Sequence, residues 1–186
     1  MRVISGTYKG RKLHSYPGLS IRPTSDRTRE SVFNILSNLF QDLTEKRVLD
    51  LYAGTGALGI EALSRGAGSA VFVESQQAAR AVLQKNLSFI AAPSAHEIIA
   101  LTVAAALPLL HKRGAVFDLI FIDPPYGRGL AHATMQALAD GALCSAQAVI
   151  LCEHFMRDAV EERYGALALF DRRRYGQTVV SFYTAP

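Results

Sequence analysis

Residues 118–126, DLIFIDPPY, place a carboxylate, two prolines and an aromatic ring directly after a short apolar run. The apolar run predicts a buried strand, so Asp123 should stand at its carboxyl end. Pro124 and Pro125 donate no backbone N–H and fix φ at about −65°, which makes the turn stiff and holds its carbonyl groups in place. The Asp123 carboxylate and the Pro124 carbonyl can then accept both N–H bonds of an exocyclic amine, while Tyr126 stacks on the base that carries it.

Such an arrangement favours methyl transfer to a nucleobase amine. The lone pair of that amine is delocalised into the ring. Acceptors for both N–H bonds draw the lone pair out of conjugation and direct it at the methyl carbon. Catalysis would then rest on positioning and electrostatics, with no covalent enzyme intermediate. By itself, Asp-Pro-Pro also fits a turn that caps a helix. Its position relative to the other predicted elements decides between a capping turn and an acceptor site.

A glycine-rich segment, DLYAGTGALGIEAL, follows an earlier predicted strand and opens a helix. Gly54, Gly56 and Gly59 have the G-x-G-x-x-G spacing, which lets a ligand approach bare backbone near a helix N-terminus. Glu74 ends the next predicted strand, where its carboxylate can accept hydrogen bonds from both hydroxyls of a ribose. The pattern predicts a nucleoside ligand, either NAD or S-adenosylmethionine (SAM). The negative charge of Asp50 suits a sulfonium better than a pyrophosphate.

Strands and helices alternate from residue 47 onward, which predicts a mainly parallel sheet covered on both faces. Strands are predicted at 47–52, 69–74, 96–101, 117–123 and 148–154, and as a C-terminal hairpin around residues 175–176. Helices are predicted between them, one interrupted near Pro108, and another over 157–164. Asp50, Glu74 and Asp123 each stand at the carboxyl end of a strand, where sheets of this kind bind ligands.

The N-terminal 30 residues carry seven basic groups against two acids, whereas the remaining residues sum to a charge of −1. A basic end favours contact with a polyanion such as nucleic acid, and a solvated positive face fits the charge equally well. We predict a single domain with a basic hairpin and connector at 1–24, a leading helix at 25–41, capped by Thr24 or Ser25, and a catalytic core at 47–186.

Composition excludes several classes of protein. The chain has 186 residues, of which 49% are hydrophobic and 19% charged, as expected for a soluble globular protein. It has no apolar run near the roughly 20 residues that cross a bilayer, and its N-terminus lacks a signal peptide. Cys144 and Cys152 and the five histidines match no metal-ligand spacing. We expect a cytoplasmic monomer without a membrane partner or a metal.

The sequence closely resembles the RsmD family, bacterial methyltransferases that modify the 2-amino group of one guanine in 16S ribosomal RNA. The similarity covers RVISGTYKGRKL, RPTSDRTRESVFNIL, VLDLYAGTGALGIEALSRGA, FVES, FDLIFIDPPY and YGQT. Adenine, cytosine and glutamine amino-methyltransferases share DPPY, whereas the two N-terminal segments are more restricted. The resemblance implies an α/β fold, a Rossmann-like class I SAM methyltransferase. Its mostly parallel seven-stranded sheet would have an antiparallel C-terminal edge strand, with a small N-terminal β-hairpin and helix added.

The resemblance also implies roles for individual residues. SAM would be held by Asp50, Tyr52, Ala53, Gly54, Thr55, Gly56 and Glu74. The guanine would be held by Asp123, Pro124, Pro125 and Tyr126, and RNA phosphates by Lys9, Arg11, Lys12 and Arg22. Such enzymes often place an Asp or Asn against the SAM adenine after the third strand, but this chain reads LTVAAAL there. Thr102 or the backbone could supply that contact. The implied partner is 16S rRNA within the small ribosomal subunit.

Other functions fit parts of the pattern. A SAM-dependent enzyme could instead methylate adenine in DNA, another RNA site or a protein glutamine, although no separate DNA-recognition domain is evident. An NAD-dependent reductase would need a hydride-acceptor site, and none is apparent. A module that only binds RNA would have no use for the Asp123–Tyr126 turn.

Overall fold

Five adjacent parallel strands form one side of the sheet in the computed structural model, which describes residues 1–15 and 26–186. They are β1 (Arg47–Leu51), β2 (Ser69–Val73), β3 (His96–Ile99), β4 (Phe117–Ile122) and β5 (Cys144–Phe155). β1 lies between β2 and β4, so the loops that follow β1 and β4 meet at the same edge of the sheet. The strands predicted from the apolar runs are confirmed.

Three antiparallel strands complete the sheet: β6 (Arg163–Tyr164), β7 (Leu167–Tyr175) and β8 (Thr178–Thr184). Over the described residues the sheet has eight strands in the order β3-β2-β1-β4-β5-β8-β7-β6. The predicted closing hairpin is therefore confirmed, with β8 inserted between β5 and β7. The prediction of seven strands was one short, because β6 is an additional two-residue strand.

The helix predicted over 157–164 is wrong, since β6 occupies its end. Tyr164 is buried, its ring packs edge-on against Tyr183 at 5.9 Å, and its hydroxyl accepts a hydrogen bond from the Glu161 N–H at 3.0 Å. Gly165, with φ of 54°, then turns the chain back into β7. These long-range ring contacts outweigh the local preference for a helix.

Helices cover both faces of the sheet. They are α1 (Asp26–Phe40), α2 (Ala57–Ser64), α3 (Gln77–Leu87), α4 (Val103–Lys112) and α5 (Leu130–Asp140). The first three contribute to one buried apolar cluster, and α4 and α5 contribute to the other. The interruption predicted near Pro108 is wrong, because α4 runs through it. Pro108 has no N–H to donate to the Ala104 carbonyl. Both residues are exposed, so water can hydrate that carbonyl.

The N-terminal segment forms a short antiparallel pairing, as predicted. Arg2 bridges to Lys12, and the Val3 N–H donates to the Arg11 carbonyl at 2.9 Å. Residues 16–25 lie outside the described part of the chain, and with them the predicted RNA contact of Arg22 and the predicted N-caps Thr24 and Ser25.

The turn of this segment is docked on α2. The buried Glu61 carboxylate accepts the N–H groups of Ile4 at 2.7 Å and Ser5 at 3.0 Å. Gly6 has φ of 82°, and a Cβ built there would stand 1.7 Å from the Ser64 carbonyl oxygen, so only glycine fits. The helix that follows the glycine loop thus also carries the N-terminal turn.

None of the helices in the described ranges, 1–15 and 26–186, has the length and apolarity that a membrane span requires. Within the same ranges, no three His, Cys, Asp or Glu side chains are grouped closely enough to hold a metal ion.

Candidate active site

The loop between β1 and α2 is bent by three residues with left-handed backbone. Tyr52, Gly54 and Gly56 have φ values of 64°, 56° and 80°. The Tyr52 hydroxyl is hydrogen-bonded to Thr134 of α5 at 2.7 Å, which ties the loop to the opposite wall. A Cβ at Gly56 would come within 2.4 Å of Leu83 Cδ1. Gly56 therefore allows the loop to pack on α3, which is a structural role.

Glu74 holds the loop from the tip of β2. Its Oε2 accepts the Gly54 N–H at 2.9 Å, and its Oε1 accepts the Gln76 N–H at 2.7 Å. Each oxygen keeps a further lone pair for a ligand hydroxyl. The carboxylate predicted to face a ribose is therefore fixed beside the glycine loop.

Asp50 is buried under the same loop, 2% exposed, and its Oδ2 accepts the Gly59 N–H at 2.9 Å. Burial raises the pKa of Asp50 to about 7; the Gly59 hydrogen bond opposes the rise and the Glu74 charge adds to it. A Cβ at Gly59 would lie 2.3 Å from the Phe72 ring, so this glycine permits the close approach of α2 to β2. Asp50 thus anchors the first turn of α2 from beneath the loop.

A cleft of about 560 Å³ opens between the glycine loop and the DPPY segment. Its volume lies within the range of small-molecule sites, roughly 300–1,000 Å³. Eight of the residues predicted from the sequence line it: Asp50, Tyr52, Ala53, Gly54, Thr55, Glu74, Asp123 and Pro125. The other three residues predicted to hold SAM or the guanine, Gly56, Pro124 and Tyr126, do not line it. Thr102 lines the cleft and also caps α4, accepting the Ala105 N–H at 3.4 Å.

Asp123 follows β4 at the centre of the cleft wall. Ile122 is paired with Cys152 of β5, so Asp123, just after β4, stands beside Glu153, which lies within β5. Burial raises the pKa of Asp123 well above its usual value, and the nearby charges of Glu153 and Asp50 raise it further. A cationic ligand in the cleft would favour the ionised forms of these carboxyl groups.

Tyr126 does not line the cleft, and its hydroxyl reaches the end of β5. Its hydroxyl donates to Glu153 Oε1 at 2.7 Å and is hydrogen-bonded to Thr178 Oγ1 at 3.0 Å. Its ring lies 6.0 Å from that of Phe155, at 32° between the planes. Sequence reasoning did not single out Glu153; the available signal was an acid within the apolar run AVILCEH, at the end of a strand.

The basic residues of the N-terminal turn lie on the surface. Lys9, Arg11 and Lys12 are all exposed, and the Arg11 guanidinium lies 5.8 Å from the centre of the Phe89 ring. Met1 and Ser15, at the two ends of this described segment, line the cleft. The two ends of the described segment thus reach the cleft, whereas Lys9, Arg11 and Lys12 do not line it. Arg22 lies outside the described residues.

Asn86 of α3 is a second residue that sequence reasoning missed. Its side chain donates to the Thr55 carbonyl at 2.9 Å and accepts the His14 N–H at 2.7 Å. It therefore joins the N-terminal segment to the glycine loop. The signal in the sequence was a polar residue at helical spacing from the apolar positions Ala79 and Leu83.

Comparison with protein families gives a match over nearly the whole chain. The model of a family described as conserved hypothetical protein 95 matches residues 1–184. Among curated relatives, YlbH of Bacillus subtilis (strain 168) is 36% identical over 183 residues, covering 98% of both chains. Ribosomal RNA small subunit methyltransferase D of Escherichia coli (strain K12) is 33% identical over 183 residues, covering 98% of this chain and 89% of the relative.

The fold is similar to that of a solved structure as well. The structure of yhhF from Escherichia coli aligns with a TM-score of 0.85 and 33% identity, covering 100% of this chain and 97% of that chain. The match therefore includes the N-terminal segment and the C-terminal strands in addition to the central sheet.

Proposed function

Because this chain belongs to the conserved hypothetical protein 95 family, the RsmD family, we propose that it methylates the exocyclic 2-amino group of a guanine in 16S ribosomal RNA, with SAM as donor. The observation that carries the proposal is the cleft in which Glu74 and the glycine loop face Asp123. The name of the Escherichia coli relative supports ribosomal RNA of the small subunit as the substrate.

The residues of the cleft fit SAM. A Cβ built at Gly54 would meet only the Tyr52 carbonyl oxygen, at 3.9 Å, so the bare backbone leaves space for a ligand. Glu74 would accept the ribose hydroxyls. Burial raises the pKa of Asp50 and of Asp123, and a bound sulfonium, unlike a pyrophosphate, would favour their ionised forms. When bound, SAM would supply an electrophilic methyl group on that sulfonium. Thr102 at the cleft wall is a candidate for contact with the adenine.

The DPPY segment would hold the acceptor. The ionised Asp123 carboxylate would accept one N–H of the guanine amine, and the Pro124 carbonyl would accept the other. Pro125 would keep the turn rigid, and Tyr126 would stack on the base. Asp123 need not be a strong base, because the amine becomes acidic only as its nitrogen gains the methyl group.

The basic turn would bind the RNA backbone. Lys9, Arg11 and Lys12 are exposed on the N-terminal segment, where they can neutralise phosphates of an RNA whose target base is turned out of its stack. Arg22 would contribute in the same way. The proposal takes residues 1–186 as one domain that acts in the cytoplasm as a monomer on the small ribosomal subunit.

Label transfer from SAM tests this function. The protein is incubated with radiolabelled SAM and small subunits from a strain that lacks the modification, and the RNA is digested to nucleosides. We expect label in 16S rRNA, recovered as N2-methylguanosine, and none with subunits that already carry the modification. Label in free DNA but not in subunits, or in a different nucleoside, would overturn the proposal.

A further inference from the structure

Glu153 has been given no role in binding SAM, guanine or RNA, yet its carboxyl group is hydrogen-bonded to Tyr126 of the DPPY segment. It lies near the end of β5, only 3% exposed, opposite Val180 of β8. Burying a carboxyl group is costly unless it is hydrogen-bonded. Here it accepts a 2.7 Å hydrogen bond from the Tyr126 hydroxyl. The hydroxyl therefore stabilises the buried acid, and the acid fixes the hydroxyl.

The Tyr126 ring is consequently held at both ends. At the backbone end it follows the stiff pair Pro124-Pro125, and at the other end its hydroxyl is hydrogen-bonded to Glu153 and Thr178. A ring held in this way loses little conformational entropy when a base stacks on it. A phenylalanine at this position would keep the stacking surface and lose the hold on the distal end.

Building on the proposed function, we propose that Glu153 is a positioning residue, which holds the Tyr126 ring by its hydroxyl so that a stacked guanine presents its amine to Asp123. Glu153 does not touch the cleft in which SAM would bind, since neither it nor Tyr126 lines that cleft. Its removal should therefore affect the acceptor side of the reaction and not the donor side.

Three variants test this role in single-turnover methylation of small subunits. We expect Glu153→Ala and Tyr126→Phe each to lower the rate by about tenfold, because each removes a hydrogen bond between a hydroxyl and a charged group. The double variant should be no slower than either single variant, since both remove the same hydrogen bond. Glu153→Gln should stay within about threefold of wild type, because its side-chain carbonyl can still accept from the tyrosine.

The affinity for SAM separates positioning from general damage to the fold. We expect it to stay within about twofold of wild type in all these variants, and the matched control, exposed Glu162→Ala, should leave the rate unchanged. The inference would be overturned by a double variant whose rate is lowered about a hundredfold, the product of the two single effects. A Glu153→Gln variant as slow as Glu153→Ala would overturn it as well. Wild-type protein that methylates no guanine would instead defeat the proposed function.

Discussion

Replacing Asp123 with alanine should lower the rate of methyl transfer to the small subunit by roughly a hundred- to a thousandfold, while leaving the affinity for SAM within about tenfold of wild type, or about 1.4 kcal/mol. Asp123 is the only proposed carboxylate partner of the acceptor amine, and losing one such preorganised group lowers rates by roughly a hundred- to a thousandfold. SAM would keep its contacts with Glu74 and the glycine loop. The measurements are single-turnover label transfer and calorimetric titration with SAM.

The control for this variant is Asp140→Ala, which removes an exposed carboxylate at the end of α5. It should transfer methyl groups at the wild-type rate. An Asp123→Ala protein that also keeps the wild-type rate would mean that the DPPY turn is not the acceptor site.

The pH dependence of the same rate gives a second readout of Asp123. Burial and the charges of Glu153 and Asp50 raise its pKa, so transfer should fall as the pH is lowered through that raised value and the carboxyl group gains a proton. The other titratable groups that face this corner are Cys152 and Tyr126, and burial raises the pKa of both. Glu153→Gln removes a negative charge beside Asp123 and should move the acidic limb to lower pH. If the acidic limb of the pH–rate profile does not move in this variant, the limb reports the protonation of another group, such as Asp50.

Replacing Lys9, Arg11 and Lys12 together with alanine should weaken subunit binding by on the order of a hundredfold at low salt and flatten its salt dependence. Each lost phosphate contact lowers the slope of log affinity against log salt by about 0.7–0.9, so the triple variant should lose about 2–3 units of slope. The backbone hydrogen bonds of the turn do not depend on these side chains, so the segment should stay docked on α2. Binding to labelled subunits across a salt series measures the slope.

A second triple variant with the same change of charge serves as the control. Arg47, Lys112 and Arg113 are exposed; Arg47 lies over the Phe117 ring and the other two end α4, on the face of the sheet opposite to α2. Their replacement should leave the slope nearly unchanged. If both triple variants lower the slope equally, binding follows net charge and the N-terminal turn is not the specific RNA surface.

The sheet and the donor side of the site could be predicted from local pattern. β1, β2 and β4 are continuous apolar runs that end at or beside Asp50, Glu74 and Asp123, and parallel strands bring such ends to one edge. The glycine spacing added the turn between β1 and α2. These features depend on residues close together in the sequence.

The remaining features depend on contacts between distant parts of the chain. Tyr126 meets Glu153 after 27 residues and Thr178 after 52, and no periodicity encodes either pairing. β6 exists because Tyr164 packs against Tyr183 of β8, and the helix predicted in its place had only local preference in its favour. The position of the Tyr126 hydroxyl likewise follows from the buried acid on β5.

The most direct test of the account is a crystal structure of the protein with S-adenosylhomocysteine and a guanine nucleotide. The account predicts the sulfur in the cleft between Gly54 and Asp123, the ribose hydroxyls on Glu74, and the guanine amine facing the sulfur from the DPPY turn. A cofactor bound away from this cleft, or one that leaves no room for a base between its sulfur and Tyr126, would contradict it.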